Sequence, residues 1–325
     1  MLPWRGVRPS DRLPLKENAR VSFEKSAPPG QHSLSVGVLV LNYNTWDLAL
    51  RALDAAIRLE AGNVTEFVLF DDGSSNSPPR EIDSRITLIR GESNRGFGRA
   101  LLQSFTAMNS DIVVLFDSDA YPLTPFSQKV KEHFERDARL GQLGFRAQDE
   151  NGMQTESYFS EPTQWSLILG QALYARMGRR EPRPDRLCVI TGCMATRAEA
   201  YAQVGGFDAG FEFLDVDVDY GMRLRRQGWK VETDPSIDVF HVGGGTALLM
   251  RHRVLHFYKS RWRLLRKHGL MRSPRLARAV ILARLACEKA ILQLFGRFLF
   301  SSAEVLDDKI LGRKELLAYC RVNLR

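Results

Sequence analysis

Two apolar runs of this chain end in acids. FVLFDDGSS (residues 67–75) closes on Asp71 and Asp72, and IVVLFDSDA (112–120) closes on Asp117 and Asp119. A strand buried on both faces cannot hold a carboxylate along its middle, so the charge waits for the exposed end. Two strands that end alike suggest one shared crevice. Asp117 and Asp119 are two positions apart, so in extended geometry both point to one side. Hard oxygen ligands of this kind suit Mg²⁺ or Mn²⁺, completed by substrate phosphates, where the ion would neutralise a diphosphate leaving group. A nicotinamide site is a poorer match. NRGFGRAL (94–101) holds GxG at Gly96 and Gly98, but Leu101 stands where the dinucleotide fingerprint needs a third glycine or alanine, and the segment does not follow the first strand.

The elements that must carry these acids alternate. Val36 to Leu41 reads as a strand, and Thr45 is placed to cap a helix whose Leu48, Ala52, Ala55, Ala56 and Leu59 recur at helical spacing. Strands Glu66 to Phe70 and Ile86 to Ile89, a helix from Gly96 to Met108 and a strand from Ile112 to Phe116 complete the first half. Such alternation predicts an α/β fold with a mainly parallel central sheet flanked by helices, which binds ligands beyond the carboxyl ends of its strands. FDDGSS and FDSD sit at those ends.

Composition limits what surrounds this core. The chain has 325 residues and a net charge of +8, unevenly spread. Residues 251–325 hold 18 Lys and Arg against 5 Asp and Glu, a net of +13, which leaves −5 for residues 1–250. A tail so basic could meet nucleic acid, an anionic membrane or a phosphorylated substrate, and charge alone does not choose. Cys188, Cys193, Cys287 and Cys320 show no CxxC or metal-finger spacing, which fits a reducing compartment. The first twenty residues lack the apolar core of a secretory signal, so cytoplasmic residence is the expectation.

The second half holds TGCMATRAEAYAQVGGFDAGFEFLDVDVDYGMRLRRQGWKVETDPSIDVFHVGGGT (191–246). Together with LVLNYNTWD (39–47), FDDGSS, ESNRGFGRA (92–100) and FDSDA, its order and spacing resemble glycosyltransferase family 2 from about Ser35 to Gly269. The likeness is greatest to bacterial rhamnosyltransferase-like members that build cell-surface glycans. It implies the GT-A fold and an inverting transfer of a sugar from a nucleotide diphosphate donor. It also implies roles for single residues. Tyr43 and Asn44 match the family's YN beside the nucleotide, and Asp71 and Asp72 match its acidic pair, whose leading acid accepts the base's ring N–H while Gly73 lets the backbone approach. A carboxylate there suits a pyrimidine imide, hence a UDP- or dTDP-sugar. Asn94, Arg95 and Gly96 match the NxG segment, and Asp117, Ser118 and Asp119 the DxD, with Asp119 the surer metal ligand; His241 matches a histidine that helps hold metal or diphosphate.

For the catalytic base, relatives read EDxD before RLRRxGW. Counting back from Trp229 puts Val216 where the glutamate stands and Asp217 at the following aspartate, with Asp215 and Asp219 as support. One carboxylate near the acceptor hydroxyl suffices for an inverting transfer. Thr191, Gly192, Gly205 and Gly206 are expected to shape the acceptor side. The absent glutamate keeps open a non-catalytic nucleotide-sugar-binding protein, and the sheet-and-carboxylate arrangement a nucleotidyltransferase.

After Thr246 the texture changes. RHRVLHFYKSRWRLLRKHG (251–269) matches the family's RxxYY and KHG region, and Ser273 and Pro274 open a helix running to Phe300, too broken by charge to span a bilayer. The resulting organisation is an extension over 1–33, a GT-A domain over 34–270 with a nucleotide half (34–120) and an acceptor half (121–270), and a helical basic extension over 271–325. The expected acceptor is a glycan or lipid-linked hydroxyl. The tail, with Phe257, Tyr258, Trp262, Phe295, Phe298 and Phe300, is read as meeting an anionic membrane surface, peripherally at the inner face of the plasma membrane, or as packing on the catalytic domain or on a second subunit in a homodimer; no nucleic-acid partner is expected.

Overall fold

The structure is a computed structural model. It describes residues 33–60, 62–170, 173–174, 182–241 and 250–324, with side chains of 250 and 251 excepted. The extension read over residues 1–33 therefore lies, but for Ser33, outside the described residues. Ser33–Arg325 form one compact unit, so the tail belongs to the same body as the sheet.

One eight-stranded sheet organises that body. Its strands are β1 (Val36–Asn42), β2 (Glu66–Asp71), β3 (Ile86–Arg90), β4 (Ile112–Phe116), β5 (Ala120–Pro122), β6 (Leu140–Gln148), β9 (Cys193–Arg197) and β10 (Lys230–His241), in the order β3-β2-β1-β4-β9-β6-β10-β5. A short hairpin of β7 (Tyr158–Ser160) and β8 (Leu187–Val189) stands apart. β1 pairs parallel with β2 and β4, and β6 parallel with β10, while β9 runs antiparallel between β4 and β6. Every residue of β1 and β4 is buried, which is why both read as unbroken apolar runs.

The two faces of the sheet collect separate cores. Val36, Val38, Val40 and Ile112 pack under α1 (Trp46–Glu60) and α3 (Ser127–Arg136). Leu39, Leu41, Val113 and Leu115 pack under α2 (Phe97–Ser104), α5 (Ala198–Gln203) and α6 (Val216–Arg226). A third cluster joins α4 (Trp165–Ile168) to the tail helices α7 (Met250–Lys267), α8 (Pro274–Leu299) and α9 (Ala303–Asn323) through Leu167, Phe257, Trp262, Ile281, Leu285 and Leu317. The aromatics Phe257, Tyr258 and Trp262 of the tail are thus interior. Cys188, Cys193 and Cys320 are buried free thiols.

Three local expectations change. The helix read to Met108 ends at Ser104, followed by a 3₁₀ turn, because the Glu66 carboxylate takes the Asn109 and Ser110 amides at 2.8 and 2.7 Å and turns the chain into β4. Neither Thr45 nor Ser273 caps through its hydroxyl. Thr45 Oγ1 is bonded to Asn42 Oδ1 (3.0 Å) and the Ser118 hydroxyl (2.9 Å), and at Ser273 only the carbonyl and the following Pro274 start the helix.

Candidate active site

The carboxyl ends of β1 and β4 open into a cavity of about 980 Å³. Asp117 and Asp119 leave β4 into it, and His241 arrives from the end of β10, which pairs with β5 so that His241 lies opposite Ala120. One ligand atom from each of Asp117, Asp119 and His241 falls within 4.8 Å of the others, and His241 Nε2 is 3.7 Å from Asp119 Oδ1. The surroundings favour a cation. Asp117 Oδ1 is buried with no hydrogen-bond partner, which an ion would satisfy. Burial, with the Asp119 and Asp217 carboxylates, pushes Asp117 up to about 7. Burial lowers the His241 imidazole, favouring the neutral ligand form. Two oxygens and an imidazole nitrogen form a donor set that Mg²⁺ or Mn²⁺ accepts. A Cβ on Gly192 would come within 2.9 Å of Asp117 Oδ2, so glycine is needed there for the carboxylate to fit.

Of the residues expected to meet the nucleotide, the two adjacent acids divide. Asp71 is wholly buried and accepts from Asn42 Nδ2 (2.8 Å), the Ser74 hydroxyl and amide, and Arg90 Nε (3.0 Å). It does not line the cavity, so its carboxylate is taken up inside the fold rather than turned to a base. Asp72 does line it, accepting from the amides of Arg95 and Gly96 at 3.1 Å each. Tyr43, Asn94, Gly96 and Ser118 line the same wall. Asn44, in the left-handed region at φ 57°, faces away and accepts from the Ser75 amide at 2.9 Å, pinning the two loops together. The Arg95 side chain points along α2 to Gln103 (2.9 Å). Gly73 does permit a close approach, but of backbone: a Cβ there would meet Ser93 at 2.5 Å.

Of the residues expected to act on the acceptor, Asp217 and Thr191 line the cavity. Burial and the neighbouring Asp215 carboxylate push Asp217 up to about 6. Asp215 precedes α6 in the left-handed conformation, φ 63°, and is held by a two-pronged ion pair with Arg261 of α7 at 2.9 and 2.8 Å. Val216, in the place of the glutamate, is core. Asp219 is turned away from the cavity. Its fully buried carboxylate is bound by Arg223 (2.7 Å), Lys267 (2.6 Å) and His268 (2.8 Å), so the KHG segment reaches back to the last acid of DVD. Gly205 and Gly206 form the turn after α5, behind Tyr201, and do not line the cavity.

Helix α7 supplies the wall that the sequence did not point to. Arg253, Val254, His256, Phe257 and Arg261 all line the cavity. Its cations meet acids of the preceding half: Lys259 pairs with Glu212, and Arg263 and Lys267 with Asp208 at 3.0 and 2.7 Å. The motif match over 251–269 and the charge excess of the tail were the available signals, and four of its cations, Lys259, Arg261, Arg263 and Lys267, are paired with acids of the preceding part.

Known proteins share this fold and part of this sequence. The sequence model described as Glycosyl transferase family 2 matches residues 37–205, just over half the chain. An N-acetylglucosaminyl-diphospho-decaprenol L-rhamnosyltransferase of Mycobacterium tuberculosis is 24% identical over 217 residues, covering 58% of this chain and 69% of the relative. Among solved structures, the mannosyltransferase PcManGT of Pyrobaculum calidifontis, in complex with GDP-Man and Mn²⁺, superposes with a TM-score of 0.55 at 17% identity, over 92% of this chain and 89% of that one. GalNAc-T7 with UDP, GalNAc and Mn²⁺ superposes with a TM-score of 0.51 at 15% identity over 70% of this chain; the match spans 48% of the GalNAc-T7 chain. The fold is the GT-A fold of those glycosyltransferases. The chain belongs to glycosyltransferase family 2 and is an enzyme that transfers sugars.

Proposed function

We propose that this protein is an inverting, cation-dependent glycosyltransferase that moves a sugar from a UDP- or dTDP-sugar to a hydroxyl of a glycan or lipid-linked acceptor in cell-surface polysaccharide synthesis, working at the inner face of the plasma membrane. The observation that carries this reading is that Asp217 and the Asp117, Asp119, His241 cluster share one cavity. The lipid-linked acceptor is suggested by the printed name of the rhamnosyltransferase relative. A pyrimidine base would donate its ring N–H to Asp72, the acid that faces the cavity and keeps unused lone pairs beside the two amides it accepts.

Asp117, Asp119 and His241 would hold Mg²⁺ or Mn²⁺, which when bound offsets the charge gathering on the departing diphosphate. The chain's own residues do the rest. Asp217 takes the proton of the acceptor hydroxyl as its oxygen bonds to the anomeric carbon. The bond from that carbon to the diphosphate oxygen breaks on the opposite face, so the configuration inverts. A carboxylate raised toward 6 is a better base than an ordinary aspartate and is still ionised near neutral pH. Arg261 fixes Asp215, and through the first turn of α6 it fixes the position of Asp217.

The test is the anomeric configuration of the product. With UDP- and dTDP-sugars, Mn²⁺ and a hydroxyl acceptor, NMR should show inversion, and chelation should stop turnover. A product with retained configuration would overturn the reading.

A further inference from the structure

The apolar residues of α8 divide between two opposite sides. Ile281, Leu285 and Gly296 are buried against the body. Opposite them, Leu276, Val280, Ile291, Leu294 and Phe298 fall within an arc of about 60° at 3.6 residues per turn, and all are exposed, Phe298 by 88% and Leu294 by 71%. The row runs nearly the length of a helix of 26 residues, about 39 Å at 1.5 Å per residue. Contiguous exposed apolar surface of this extent marks an interaction site.

We propose that this outward face of α8 is a docking surface for an anionic lipid bilayer. Charge selects the partner. The helix carries Arg275, Arg278, Arg284, Lys289 and Arg297 against the single acid Glu288, which is itself paired with Arg284 and Arg313. Arg297 is exposed about 60° from the edge of the apolar row, and Arg275 is exposed about 100° from it, at 3.6 residues per turn. Packing the same face of a second copy against it would bring two such cationic helices together, whereas anionic headgroups would neutralise them. Shape points the same way. In the last turns Phe295 and Leu299 are also exposed, outside the row, and widen the exposed apolar arc to about 140° at 3.6 residues per turn, while Gly296 is covered by Leu306 of α9. A helix lying in the bilayer interface buries one such apolar side and leaves Gln293 and Arg297 toward the headgroups. Among the described residues no helix is long and apolar enough to cross a membrane, so the helix lies in the interface. The aromatics Phe257, Tyr258 and Trp262 take no part, being interior. The surface stands on these observations alone; its use in presenting a lipid-linked acceptor rests on the proposed function.

The full chain is floated with phosphatidylcholine vesicles, with and without phosphatidylglycerol, at low and high salt. It should float with the anionic vesicles and less well as salt rises. An environment-sensitive dye on Cys287, the exposed cysteine among buried ones, should shift to the blue on binding. Leu294→Glu/Phe298→Glu, at exposed positions that leave the core intact, should lower the bound fraction by about tenfold or more, with UDP and Mn²⁺ binding by calorimetry unchanged. The proposal is overturned if the wild type does not float on anionic vesicles, if the double variant floats equally well, or if the wild type is a dimer that the double variant dissolves, which would assign the face to a second copy. Flotation without nucleotide binding would count against the proposed function and leave this surface standing.

Discussion

Arg261 gives the sharpest test of how the proposed base, Asp217, is held. Its guanidinium grips Asp215 through two hydrogen bonds of 2.9 and 2.8 Å, and the two side chains are 12% and 4% exposed. Arg261→Met keeps the length of the side chain and removes its charge, stranding Asp215 beside Asp217. Breaking one side of a buried pair costs about 3–5 kcal/mol, or roughly 5–8 °C in Tm for a body of this size at about 2.1 cal/mol/K per residue. Asp215→Asn/Arg261→Met removes both charges, and asparagine accepts the left-handed backbone at 215. Most of the lost stability should return. The acid limb of the pH–rate profile should move in opposite directions in the two proteins. Arg261 lowers the Asp217 pKa and Asp215 raises it more strongly. The ionised base is needed, so the single variant's limb shifts to higher pH and the double variant's to lower pH. Thermal unfolding and initial rates against pH read both effects. Equal destabilisation of the two proteins, or limbs that move the same way, would refute the reasoning.

Asp217→Asn should lower turnover by roughly 10² to 10⁴, the range for losing a general base, with nucleotide affinity by calorimetry unchanged; wild-type rate should climb as pH rises through about 6. Asp117 tests the cation site. Its folded-state pKa of about 7 lies above the ordinary 3.8, so the metal-free protein holds more protons than the unfolded chain between those values and loses stability as pH rises through that window. The loss is on the order of 4 kcal/mol, from about 3 units at about 1.4 kcal/mol each. Asp117→Asn should therefore melt higher than wild type without metal at pH 8 and should not be stabilised further by Mn²⁺; a variant that melts lower, or gains as much from Mn²⁺ as wild type, would remove Asp117 from the site.

The first half of the sheet was legible because burial there is written into composition. Strands β1, β2 and β4 are apolar runs ending in acids, and each was read to within a residue or so of its bounds. Which of two adjacent acids faces outward was not legible. Asp71 and Asp72 differ by the direction of one side chain, settled by Asn42, Ser74 and Arg90 from three separate segments. The α7 wall was hidden for a related reason. Arg261 and Asp215 are 46 residues apart, and an arginine on a basic amphipathic helix looks the same in sequence whether its partner is water or a buried carboxylate. The KHG segment was recognised, but its contact with Asp219 depends on how α7 folds back.

The ion pairs between α7 and the stretch from Asp208 to Asp219 bear on how such enzymes can be recombined. The family match ends at residue 205, before both partners of this clasp begin. A chimera that replaces the 208–219 stretch alone would import foreign acids without their cations, and one that exchanges only the tail would do the reverse. Either hybrid strands buried charge. The stretch and helix α7 therefore have to be inherited together, as a single cassette that can be transplanted across a junction near Gly205.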